Sequence, residues 1–586
     1  MSRFPLSLFV VLSTLAVALF LSGCGNVSPS TSSGGRSQAD PSGASRASRR
    51  AAAPAPGPQR GEAPAALAPE GAPGPAAGRA AAPGGPLAAD STGSGAEQRG
   101  HVGRPPEPAR GRRLPPAPDW APAERELPAP PDGMTFQDYG VNPWTDAGEE
   151  PLSTFALDVD TGAYTLARSY ILEGSLPPIE AVRVEEFVNY FDADYPSPER
   201  GAFAVTLDGA PSPFDDGETL VRVGLEGRRV SEARRRDAVL TFVVDVSGSM
   251  EEDGRLELVK EALGRLADGL GPGDEIAVVA YTDDAWVVLP TTRARARGAI
   301  RDALTSLAPM GSTNAEAGLR LGYELAAAAF RPEATNRVLL CSDGVANVGA
   351  TGPEAILEVI GRRVADGITL TTVGVGLGNY NDVLMEQLAD RGDGAYVYVD
   401  DALEAEHVFV ENLTGTLEVI ARDAKVQVEF DPAEVEHYRL LGYENRDVDD
   451  RDFENDAVDA GEVGAGQSVT ALYALRLRPE AGGTLATVRV RYADPVRGDV
   501  REEAATLHVR DLAPSFRRAA PRLRLAVAAG AFADLLREGY LARTVTLGEV
   551  ARVAEDAAAD LPGDAPAAEL ADLVRRAEGL AVAYGR

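Results

Sequence analysis

The stretch Phe242-Val-Val-Asp-Val-Ser-Gly-Ser-Met250 carries an apolar run to one carboxylate, Asp245, and then to two hydroxyls at alternate positions, Ser247 and Ser249. An unbroken run of β-branched and aromatic residues suits a strand buried on both faces, as in a parallel sheet covered by helices. The residues that follow support this. RLELVKEALGRLADGL has helical spacing, DEIAVVAY is a second apolar strand, and AWVVLP is a short strand after it. ARGAIRDALTSLAP and AEAGLRLGYELAAAAF read as helices, NRVLLCSDG as a strand, PEAILEVIGRRVADG as a helix and ITLTTVGVG as a strand. NDVLMEQLADRG, GAYVYVD and DALEAEHVFVENLTGTL continue as helix, strand and last helix. Strands alternating with helices predict a doubly wound α/β (Rossmann-like) domain over 237–419.

In such sheets a site forms at the carboxyl ends of the strands. FVVDVSGSM is one such end and RVLLCSDG another, and the loop Met310-Gly-Ser-Thr-Asn314 can reach the same rim. Asp245, Ser247, Ser249, Thr313 and Asp343 offer oxygen alone, and the four His, at 101, 407, 437 and 508, are scattered. An all-oxygen set with few carboxylates suits a hard cation, Mg²⁺ first and Mn²⁺ or Ca²⁺ next. Zinc would want His or Cys. On this reading Asp245→Ala relieves repulsion from Asp343 and is expected to raise stability without metal.

D-x-S-x-S, a distant Thr and S-D-G at another strand end resemble the metal-ion-dependent adhesion site of von Willebrand factor A domains, with all five positions present. The resemblance implies that Ser247, Ser249 and Thr313 touch the metal and that Asp245 and Asp343 act largely through waters. It also implies an open coordination position that takes a carboxylate from a partner protein. The alternative is a domain of this fold that has lost its metal.

The flanks extend the resemblance. STFALDVDTGAY (153–164) and LPPIEAVRVEEFVNYFDADYP look like the N-terminal module of a bacterial family of von Willebrand factor A lipoproteins. EVEHYRLLGYENRDVDDRDFENDAVDAGEVGAGQSVTALYAL looks like that family's C-terminal domain of unknown function. Alternating strands occur on both sides of the α/β domain, in 202–230 and in AKVQVEF, SVTALYALRL, TLATVRVRYAD and ATLHVR, which predicts one half-buried β-sandwich with the α/β domain inserted. The expected divisions are 134–236 for the β-containing N-terminal module, 420–512 for the β-rich C-terminal module and 513–586 for a small helical region.

The N-terminus, MSRFPLSLFVVLSTLAVALFLSGCGN, has a basic start, an apolar run and small residues, the pattern of an export signal. The run is short for a membrane-spanning helix. Leu21-Ser-Gly-Cys24 resembles a bacterial lipobox, which implies a signal peptide at 1–23 and lipidation of Cys24. No Asp follows the Cys, so the resemblance favours the outer membrane where one exists. Residues 24–133 are rich in Pro, Ala, Gly and Arg without apolar period, so a disordered tether is expected there. The second of the two cysteines, Cys341, then has no partner for a disulfide and reads as a buried thiol.

The 586 residues exceed one hydrophobic core, and the formal charge of −32 excludes a nucleic-acid surface. Asp158-Val-Asp-Thr-Gly162 is similar to a phosphatase loop but lacks Thr or Val at its fifth position, and reads as a turn. Arg391-Gly-Asp393 fits a helix-to-strand turn. Asp447, Asp449, Asp450 and Asp452 depart from EF-hand spacing and read as a solvated loop. No G-x-S-x-G elbow, phosphate loop, dinucleotide fingerprint or H-E-x-x-H is present, so no enzyme activity is expected. The expectation is an envelope-anchored protein that binds an unidentified protein ligand through a metal. The alternative is an envelope assembly factor whose flanking modules make the contacts.

Overall fold

The computed structural model describes residues 136–583 except 232, 345–359, 365, 377–380, 412–414, 416, 457 and 459. The export signal, Cys24 and nearly all of the 24–133 tether lie outside the described residues, as does much of the helix expected over 353–367.

The N-terminal flank contributes β1 (Thr145–Asp146), β2 (Leu152–Ala156), two helices, α1 (Gly162–Leu172) and α2 (Val184–Asn189), and a hairpin of β3 (Phe203–Pro211) and β4 (Thr219–Gly227). The α/β domain follows as β5 (Ala238–Asp245), α3 (Arg255–Gly269), β6 (Glu275–Tyr281), β7 (Ala285–Arg293), α4 (Arg297–Thr305), α5 (Ala315–Ala328), β8 (Thr335–Ser342), β9 (Ile368–Val375), α6 (Asp382–Arg391), β10 (Tyr396–Val399) and the short α7 (Ala402–Glu406). The C-terminal flank supplies β11 (Val419–Phe430), β12 (Val435–Leu441), β13 (Gly461–Gly464), β14 (Ser468–Leu477), β15 (Thr484–Ala493) and β16 (Val500–His508), then α8 (Pro521–Leu536), α9 (Leu547–Ala559) and α10 (Ala565–Ala583).

In the α/β domain the strand order is β10-β9-β8-β5-β6-β7. The chain winds one way from β5 to β7 and the other way from β8 to β10, so the switch falls between β5 and β8. Every residue of β5, β8 and β9 is buried, which explains their unbroken apolar sequences. Each Val, Leu or Phe so buried contributes about 1.5–3 kcal/mol. β7 differs from the parallel sheet expected: it runs antiparallel to β6 at the edge, and Trp286 and Val287 on it are exposed.

The flanking strands do form one sandwich from both sides of the insertion. One sheet has the order β1-β12-β14-β4-β3, and the other β13-β11-β15-β16, with β2 also paired to β11. Val223 and Leu225 of β4 share a core with Tyr473 of β14, Val426 and Val428 of β11 and Val488 of β15. β15 alternates in and out, as half-buried strands do. β14 is buried on both faces, because Leu472 and Ala474 point away from the sandwich into a second core made by α2, α8, α9 and α10. The helical region is therefore a third layer that covers the sheet. Thr546 and Glu549 form the capping box that starts α9.

Charged side chains fasten these parts together. Arg183, just before α2, is 5% exposed; it bonds Glu186, donates to Asp382 of α6 at 2.8 Å and lies 3.6 Å from Glu386. Arg446, from the C-terminal flank, donates to Asp158 at 2.9 Å and Asp390 at 2.8 Å, and lies 3.5 Å from Asp160. Asp160 accepts from the Tyr396 backbone of β10 at 3.0 Å. The D-V-D-T-G segment is thus a buried joint between all three parts, a larger role than a turn.

Carboxylates outnumber guanidiniums at this joint. Burial, with neighbouring acids, pushes Glu185 up to about 8, and burial pushes Glu186 up to about 7. The folded chain therefore holds protons that the unfolded chain releases at lower pH. The contribution of these two groups is fully present at acidic pH and is lost as pH rises, through about 7 for Glu186 and about 8 for Glu185, at about 1.4 kcal/mol per pH unit for each while it titrates. A thermal melt series from about pH 5 to about pH 9 should show the melting temperature falling, with the fall reduced in Glu185→Gln. A flat wild-type series would contradict this.

Candidate metal site

The site begins with the way three adjacent strands hold one carboxylate. Asp245 is the last residue of β5 and is fully buried. Its Oδ1 accepts the Ser247 backbone N–H at 2.8 Å. Its Oδ2 accepts the Ser342 hydroxyl from β8 at 2.9 Å and the Tyr281 hydroxyl from β6 at 3.2 Å. Burial pushes the Asp245 carboxyl up to about 6; the Ser247 hydrogen bonds oppose the rise and the nearby Asp343 carboxylate adds to it.

Ser247 is buried and Ser249 half-buried, and their hydroxyl oxygens lie 3.1 Å apart. The two hydroxyls hydrogen-bond each other at that distance, and the same spacing of about 3 Å separates neighbouring ligands of an octahedral Mg²⁺, so the pair is compatible with such an ion. The loop bearing Thr313 is fastened to the loop after β5. The Met310 N–H donates to the Val246 carbonyl at 2.7 Å, and the Gly248 N–H to the Gly311 carbonyl at 3.2 Å. Asn314 N donates to the Thr282 carbonyl at 2.8 Å, and Asn314 Oδ1 accepts from Ala317 N at 3.1 Å, capping α5. Thr313 is half-buried between these attachments.

Asp343 follows β8 and is 6% exposed. Its Oδ2 accepts from Arg255 Nη1 at 3.0 Å, and the same nitrogen lies 3.3 Å from the Ser249 carbonyl. Asp245, Ser247, Ser249 and Asp343 thus share one hydrogen-bonded rim at the switch between β5 and β8, with Thr313 on the loop beside it. Sequence reasoning missed Arg255, Tyr281 and Ser342. Ser342 was adjacent to a named residue in Ser-Asp-Gly, whereas Tyr281 and Arg255 reach the rim through strand register and the first turn of α3.

Other candidate residues stand elsewhere. Cys341 is fully buried and free, and burial pushes its thiol up to about 12. Asp450 accepts from the Thr154 hydroxyl at 2.7 Å, and Asp449 pairs with Arg451 at 2.7 Å. Among the described residues no group of three or more His, Cys, Asp or Glu is placed to hold a metal. The hydroxyl-rich rim, with its two carboxylates, is of another kind.

The fold is that of a von Willebrand factor A-domain protein. A model of the von Willebrand factor type A domain matches residues 240–412, one described as von Willebrand factor matches 130–222, and one described as uncharacterized protein YfbK, C-terminal, matches 415–580. The uncharacterized protein YfbK of Escherichia coli K12 is 34% identical over 477 residues, covering 77% of this chain and 82% of that protein. The chain belongs to the YfbK family. The uncharacterized protein sll0103 of Synechocystis is 27% identical over 299 residues, 50% of this chain and 69% of that protein. Among solved structures, a von Willebrand factor type A protein from Catenulispora acidiphila covers 63% of this chain and 89% of its own, with 19% identity and a TM-score of 0.40.

Proposed function

We propose that this protein is a lipid-anchored component of the bacterial cell envelope that binds a protein ligand through a divalent cation, and that it is not an enzyme. The observation that carries the reading is the pair of hydroxyls of Ser247 and Ser249, 3.1 Å apart beside the triply hydrogen-bonded Asp245. Ser247, Ser249 and Thr313 would hold Mg²⁺, or Mn²⁺ or Ca²⁺, directly. Asp245 and Asp343 would orient its waters. The bound ion supplies an electrophilic position for a partner's carboxylate. Cys24 would carry the lipid, and the outer membrane is the favoured address where one exists.

Calorimetric titration of the full chain should show one Mn²⁺ or Mg²⁺ bound per chain, and capture of envelope proteins should be lost in EDTA. Absence of binding heat would overturn the metal reading. Metal uptake with EDTA-insensitive capture would favour an assembly factor working through its flanking modules. The buried ion pairs that fasten the modules into one body are the observation on that side.

A further inference from the structure

The rim around the candidate metal site is acidic on both sides. On one side, Glu251, Glu252 and Asp253 follow Ser249 and are exposed. Arg255 places two of them close to Asp343, since its Nη2 lies 3.5 Å from Glu252 and 3.9 Å from Asp253 while its Nη1 bonds Asp343. On the other side stand Asp283 and Asp284, both exposed, in the turn between β6 and β7. Asp283 accepts the Ser312 hydroxyl and, through its carbonyl, the Asn314 side chain at 3.1 Å, which places it one residue to either side of Thr313. The hydrogen bonds from Ser312 hold the Asp283 carboxyl below the usual range, so it is charged at neutral pH. Arg255 is the cation that the described hydrogen bonds bring to this rim, and it is buried against acids.

Asp245 and Asp343 together balance a divalent ion. The five exposed carboxylates then face Arg255, the guanidinium that the described hydrogen bonds bring to this rim. A partner offering a carboxylate among other acids would meet repulsion throughout its approach, because exposed charges act over about 8 Å at physiological salt. A carboxylate among Lys or Arg is drawn in by the rim and still reaches the ion. Met310, 51% exposed on the loop that carries Thr313, adds one apolar contact beside the same opening.

We infer that the partner presents its metal-seeking carboxylate within a basic segment, beside an apolar residue. This rests on the metal reading above. Glu251, Glu252, Asp253, Asp283 and Asp284 select the partner by the residues that flank its carboxylate, and Met310 contacts the apolar neighbour.

The test uses the full chain with Mn²⁺ and synthetic peptides that share a Leu-Glu centre flanked by Lys, by Ser or by Asp. A Lys-flanked Leu-Gln peptide measures attraction to the acidic surface alone. Fluorescence anisotropy should rank Glu peptides Lys above Ser above Asp, with about tenfold or more between the extremes, narrowing as salt is added. EDTA should reduce the Lys-flanked Glu peptide to the level of its Gln control. Glu251→Gln combined with Asp284→Asn should shrink the Lys-over-Ser preference. Equal binding of all flanks, equal binding of the Glu and Gln peptides, or no Mn²⁺-dependent binding of any peptide would overturn the inference. A Mn²⁺ titration of the same sample separates the two failures. If the ion binds, the partner chemistry falls alone; if it does not, the metal reading falls and takes this inference with it.

Discussion

Asp245→Asn should bind Mg²⁺ and Mn²⁺ at least about 100-fold more weakly than the wild-type chain, at the upper end of what groups that orient metal ligands contribute. The amide keeps an oxygen to accept from Ser342 and Tyr281 but turns its NH2 toward the Ser247 N–H, so one donor loses its acceptor instead of three while the charge beside the two Ser hydroxyls is lost. Calorimetry on both proteins reads the difference, and equal heats would place the site elsewhere. Asp245→Ala is the poorer variant. The sequence suggested that it would gain stability by relieving repulsion from Asp343. The structure reverses that expectation. The Ser247 amide and the Ser342 and Tyr281 hydroxyls all donate to this carboxylate, and each buried donor left without an acceptor costs about 1–3 kcal/mol. The Ala variant should therefore melt below the wild type, and Asp245→Asn above the Ala variant.

Arg183→Met should lower stability by about 3–5 kcal/mol, the usual result of removing one partner from a buried ion pair. Glu186, Asp382 and Glu386 would keep their burial and lose their shared guanidinium. Met fills most of the aliphatic volume, so the loss reports charge more than a cavity. The abandoned carboxyls must take up protons to remain buried, so the deficit should grow as pH rises and shrink near about pH 5. Denaturant melts at both pH values check this. A deficit independent of pH would mean that packing, not charge, fixes the joint.

The α/β domain was legible because strands buried on both faces write unbroken apolar runs, as β5 and β8 do. The candidate rim was legible because Asp245, Ser247 and Ser249 lie within five residues, and Ser-Asp-Gly ends another strand. Other parts are not written locally. α1 and α2 went unread beside the strands of the N-terminal flank. β14 reads as an exposed-face strand until α8 covers its outer side. Arg183 and Asp382 stand 199 positions apart, so neither residue announces the other. Arg255 looks like an ordinary first-turn residue of α3, and its contact with Asp343 spans 88 positions.

The insertion of the α/β domain also determines how tension would travel. Its two covalent connections leave from the same end, where Arg236 bonds Glu418, opposite the rim that carries Asp245. One connection runs to β4 in the first sheet of the sandwich, and the other to β11 in the second. A ligand pulling on the rim would load the two connections in parallel, alongside the ion pairs of Arg183 and Arg446 that also tie the domain to its flanks. The pull would reach both sheets together, and the Val and Leu side chains between them would act as the clamp that shares it.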